Sequence, residues 1–165
     1  MEIDGMDLGL TAREFIYEVP PPFGPNRGPA KFSVTQKPVG PGDMDARSAL
    51  SELQHMSRVR DKEIENRYEE TKDYDAYLRD KSEAVEWVHR ASLEYYFQYC
   101  VVDWSTTIQS RGVAIDPTPE NFVELFMVKD ANIQELNERM KADVVGLQKF
   151  IHDAQKEADE ARIKN

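Results

Sequence analysis

The sequence predicts a mainly α protein with a small N-terminal antiparallel β pair, a helical core and an extended C-terminal helix. Three observations carry that expectation. Period-two alternation is confined to two short segments before residue 36, apolar residues recur at helical steps through most of the remaining chain, and a near-heptad seam runs late in it. A chain of 165 residues suffices for one core with helical extensions. Composition divides it into strands and proline/glycine-rich loops at 1–42, a helical domain at 43–152 and a charged helical tail at 153–165.

Residues 1–10, with Gly5 and Gly9 among acids, carry no periodic signal and are expected to be loosely ordered. From Arg13 to Val19, Phe15, Tyr17 and Val19 alternate with Glu14, Ile16 and Glu18, and from Lys31 to Thr35 Phe32 and Val34 share a face. The prolines and glycines between them, Pro20 to Gly28, make a stiff loop, so the segments read as an antiparallel pair. A lone pair is marginal in water and has to pack on helices or on another chain. After the break at Pro38, Gly40, Pro41 and Gly42, Asp43 is placed to cap a helix running to about Tyr68 or beyond. Its apolar residues Met44, Leu50, Leu53, Met56, Val59 and Ile64 are widely spaced, so it should bury only a narrow stripe.

Between Ser82 and Trp104 the apolar residues surround much of a helix, and this segment is expected to be the centre of the core, with Ser105 to Thr107 as its closing turn. Thr118 can cap a restart, Pro119 suits the first helical position and Glu120 favours the positive end of the helix dipole. The short helix begun there, with Phe122, Val123, Leu125, Phe126, Met127 and Val128, is too apolar to face water on all sides. Asp130 can cap the final helix, whose seam is Ile133, Leu136, Met140, Val144, Leu147 and Ile151. Beyond Asp153 large apolar residues almost vanish, which predicts a solvated helix end.

A formal charge of −10 opposes phosphate backbones and anionic membrane surfaces, so neither nucleic acid nor membrane is an expected partner. The N-terminus shows neither a basic start nor an apolar run, and a single cysteine, Cys100, fits a reducing compartment; the expected location is cytoplasmic. Two Glu-x-x-His spacings, Glu52 with His55 and Glu86 with His89, match half the ligand set of a di-metal helical bundle. The two further carboxylate helices that such a bundle needs are not both present, so exposed helical side chains are the simpler reading. Apolar surroundings argue against Cys100 as a nucleophile. The glycines at 24, 28, 40 and 42 are interleaved with prolines, which lack the amide donors of a phosphate loop. The expectation is therefore a non-enzymatic protein with no cofactor and no metal.

The block from Val101 to Met127 resembles the C-terminal part of tail assembly chaperones of long-tailed bacteriophages. It matches in Trp104, Gly112, Thr118, Pro119, Glu120, Asn121 and Leu125, and REFIYEVP, KFSV and a helix from Asp43 are similar to the start of such proteins. Asp103 stands where the family often has glycine before the tryptophan, and Arg111 precedes Gly112 where Asp-Gly is common. The resemblance implies a chaperone in the host cytoplasm that binds the tape measure protein, or other tail proteins, during tail morphogenesis. Two alternatives remain open: a virion-associated tail or connector component, and a di-metal helical oxidase.

Such a task calls for apolar anchors and self-association. Trp104, Phe122, Leu125 and Phe126 read equally as core or as partner-binding residues, with Trp104 closing the apolar helix and so the nearer to core, and the seam Ile133, Leu136, Met140, Val144, Leu147 and Ile151 is the expected homo-oligomer contact.

Overall fold

The structure, a computed structural model, describes residues 12–40 and 42–164. The expectation for residues 1–10, and for Pro41 in the second break, lies outside the described residues. The protein is mainly α with a small antiparallel sheet and a long C-terminal helix. It divides into two compact units, one spanning 40–96 and the other built from the residues up to 39 together with those from 97 onward. This division departs from the compositional boundaries at 42 and 152, because the N-terminal strands pair with a strand from the middle of the chain.

The first unit is organised by β1 (Arg13–Val19), β2 (Ala30–Gln36) and β3 (Val101–Thr106), in the order β1-β2-β3 and antiparallel throughout. Register obeys the alternation, with Phe15 opposite Val34 and Tyr17 opposite Phe32. Tyr17, Val19, Ala30, Phe32 and Val34 are buried on one face, whereas Glu14, Ile16, Glu18 and Lys31 are exposed on the other. In the loop between the strands, a Cβ on Gly24 would lie 1.9 Å from the carbonyl oxygen of Pro29. Only glycine lets the loop close there.

The third strand corrects the expectation of a helix through Trp104. The helix stops at Cys100 and Val101–Thr106 joins the sheet directly. A register shift sets Gln36 opposite Val101 and Thr35 opposite Asp103, leaving Val102 unpaired as a bulge. The bulge turns both Val101 and Trp104 inward. Their three-residue separation reads as helical in the sequence for that reason alone. Next comes a two-residue hairpin, β4 (Gln109–Ser110) with β5 (Val113–Ala114). Arg111 and Gly112 at its tip both have positive φ, 51° and 77°, as the tight mirror-image turns require.

Two helices complete this unit. Pro119–Met127 (α3) is capped by Thr118, whose hydroxyl accepts from the Asn121 amide at 3.1 Å. Ala131–Lys164 (α4) starts at Asp130, whose carboxylate accepts from the amides of Asn132 at 2.8 Å and Ile133 at 3.3 Å. From His152 to Lys164 every side chain of α4 is exposed, in keeping with a solvated helix end.

The second unit is a helical hairpin. Met44–Thr71 (α1) is capped by Asp43, which accepts from Ala46 at 3.0 Å, and only Ala46 and Ile64 along it are buried. Tyr74–Cys100 (α2) runs back after Lys72 turns the chain through a left-handed conformation, and its last turn, from Phe97, belongs to the first unit. Asp73 caps α2 by accepting from the Ala76 amide at 3.1 Å. Across the hairpin Arg67 meets Asp80 at 2.9 Å, and Lys81 meets Glu65 at 3.0 Å. Each pair is partly solvated, so its contribution to stability is modest and it serves chiefly to align the helices.

Candidate functional site

The four residues that read as core or as partner-binding are brought together in the core. Trp104 is 4% exposed, Phe122 0%, Leu125 7% and Phe126 0%. Phe32 supplies the centre of the cluster, with ring centroids 5.7 Å from Trp104, 6.3 Å from Phe122 and 5.4 Å from Phe126. Phe97, from the last turn of α2, closes on Phe122 at 4.9 Å. Of the two readings of these positions, core and docking surface, the burial in the single chain is that of core: the third strand gives the sheet a wider apolar face, and α3 is the element that covers it.

For the seam of α4 the expectation of an exposed contact is corrected. Ile133, Leu136, Met140, Val144 and Leu147 are buried and Ile151 is half-buried within the single chain. The helix lies along β1, where the Tyr17 hydroxyl donates to the Asp143 carboxylate and the Arg139 guanidinium stacks 5.2 Å from the Tyr17 ring centroid. Gln36 donates its amide to the Tyr17 oxygen at 3.4 Å. Burial first, and then the Asp143 carboxylate, raise the Tyr17 phenol far above the ordinary tyrosine range, outweighing the opposing effects of Gln36 and Arg139. This neutral hydroxyl locks helix to sheet. Asn137, among the buried residues of α4, has neither amide atom bonded, and the indole nitrogen of Trp104 is likewise buried without a partner.

Burial pushes the Cys100 thiol up to about 11, with Lys37 opposing, the reverse of what a reactive thiolate needs. Among the described residues no three His, Cys, Asp or Glu side chains converge as metal ligands would. No helix among them is long and apolar enough to cross a membrane.

Both units leave large apolar side chains exposed, and on the hairpin two of them line a cleft. Met56 is 49% and Val59 42% exposed on α1, and with His55, Arg60, Glu63 and the half-buried Trp87 they line an open cleft of about 320 Å³. The Arg60 guanidinium sits 4.8 Å from the Trp87 ring centroid and fixes that wall. A second cleft, of about 200 Å³, shares Arg60 and Glu63 and continues past Arg67, Asp80 and Glu83. The two clefts adjoin at Arg60 and Glu63 in the groove between α1 and α2, the first more apolar and the second more polar.

At the tip of the hairpin Tyr68, Tyr74 and Tyr77 cluster, with Tyr68 and Tyr77 centroids 4.8 Å apart. The Lys81 hydrogen bond, joined by that of Tyr77, holds Glu65 below the ordinary carboxylate range, and the same contacts to Glu65 raise Tyr77 and Lys81. Sequence reading missed the groove. Its signal is present, however: Met56 and Val59 lie off the narrow buried stripe of α1, and a tryptophan stands on the next helix.

No protein-family model, no curated protein and no solved structure matches the chain.

Proposed function

We propose that the protein is a non-catalytic assembly chaperone of bacteriophage tails that holds the tape measure protein in the host cytoplasm while the tail forms. The observation that carries this reading is the cleft of the hairpin, where a long α1 buries only Ala46 and Ile64 and leaves Met56 and Val59 in water beside Trp87. A hairpin of this kind can cover an aggregation-prone helix without unfolding itself. The family likeness rests on the sequence of the block from Val101 to Met127, on Trp104, Gly112 and Thr118 to Asn121. Because the α4 seam is covered, the self-association that a coating role implies falls to other surfaces. The net charge of −10 keeps such an assembly soluble.

Co-expression with a long helical tape measure fragment tests the proposal. The fragment should be soluble and co-purify with the protein, and finished virions should lack it. An insoluble fragment that never co-purifies refutes the chaperone reading. Stoichiometric protein in finished particles moves it to the class of tail or connector components.

A further inference from the structure

We propose that the groove between α1 and α2 is the docking site for an amphipathic helix that carries an aliphatic anchor and, one to two turns along, a lysine or arginine. This deepens the chaperone reading and rests on it for the biological partner, but the recognition chemistry comes from the hairpin alone. The apolar end, formed by Met56, Val59 and Trp87, offers about 320 Å³, room for an anchoring side chain in a wall that Arg60 already holds in place.

The polar end sets the charge of the occupant. Arg67 is engaged by Asp80 at 2.9 Å and Arg60 is stacked on Trp87, whereas Glu63 and Glu83 have no ion-pair partner among the described residues. The groove lining thus carries Glu63, Asp80 and Glu83 against Arg60 and Arg67, an excess of one negative charge on a chain of net −10. A cationic side chain of the occupant completes it, and an anionic one is repelled.

Spacing selects a helix. Met56 and Val59 precede Glu63 by seven and four residues on α1, which is about 6–10 Å along the axis, so anchor and cation sit one to two turns apart on one face of a helix lying in the groove. A third helix laid between two antiparallel ones meets the packing rules at a shallow crossing angle.

The test uses the full chain and two fluorescein-labelled peptides of about five helical turns, one of leucine and lysine and one of leucine and glutamate, monitored by anisotropy at physiological ionic strength. The Leu/Lys peptide should bind at least about tenfold tighter than the Leu/Glu peptide. Val59→Asp should weaken it by a similar factor, and the surface double variant Glu63→Lys with Glu83→Lys should invert the preference, with circular dichroism unchanged in both.

Equal binding to wild type and Val59→Asp would mean attraction to the acidic surface alone and overturn the site. A preference that survives the charge reversal overturns the electrostatic half. A dimer of the free protein that Val59→Asp dissolves assigns the groove to a second copy, which also overturns the proposal. Failure of the peptides with continued capture of a tape measure fragment moves the chaperone contact elsewhere. Failure of capture with peptide binding intact leaves the groove standing without that partner.

Discussion

Replacing Phe122 with alanine separates a core role from a docking role. The side chain has no exposed surface, and its ring lies 4.9 Å from Phe97, 4.9 Å from Phe126, 5.5 Å from Trp104 and 6.3 Å from Phe32. Truncating a buried phenylalanine costs about 3–5 kcal/mol, and four aromatic neighbours that cannot all relax into the gap put this site near the middle or upper part of that range. A loss of about 4 kcal/mol lowers the folding equilibrium constant nearly a thousandfold and removes a large part of the stability of an ordinary domain. With a urea dependence of about 2 kcal/mol per molar, the midpoint of unfolding should fall by about 2 M. Trp104 fluorescence in a Trp87→Phe background reports the first unit without signal from the hairpin. A midpoint shift below about 0.5 M, together with lost capture of a tape measure fragment, would show that Phe122 is a surface anchor and refute its place in the aromatic core.

The region around β3 gives two further expected outcomes. Cys100 should resist maleimide at pH 8 in the native protein and react at once in urea; because its pKa is raised, its contribution to stability is complete below the ordinary thiol value of 9.0 and is lost as pH rises toward about 11. Rapid native labelling contradicts the burial. Deleting Val102 should leave a folded protein with a modest drop in melting temperature, since it removes the bulge and keeps Val101 and Trp104 facing inward, whereas deleting Ser105 should unfold the first unit by shifting the strand beyond Trp104 by one residue. Equal damage from the two deletions would refute the register.

The features legible in the sequence are those whose bonds close locally. Asp43, Thr118 and Asp130 each accept an amide three residues on, so a residue type and its position relative to an apolar run are enough to place the helix start. The β1–β2 pair is legible for a similar reason: alternation survives because one face of the sheet is solvated. What escapes is β3, because its partner lies about 70 residues away and its bulge breaks the alternation that would mark it. Val101 and Trp104 sit three apart, which is a helical step, and the segment continues an unbroken helix with no glycine or proline between.

That missed strand also explains why Phe122, Leu125 and Phe126 read as surplus apolar surface in the sequence. Apolar content measures how much surface has to be covered and is silent on whether the cover comes from the same chain. A sheet of two strands is too small to occupy both α3 and the α4 seam, and the surplus reads as a binding face. With three, Phe32 becomes the centre of a face that takes up Trp104, Phe122 and Phe126, while Tyr17 and Asp143 draw α4 onto β1. On α1, by contrast, a 28-residue helix buries only Ala46 and Ile64 and leaves Met56 and Val59 beside Trp87. A helix with so little buried surface cannot owe its stability to its apolar face, and Met56 and Val59, outside the buried stripe, stay exposed.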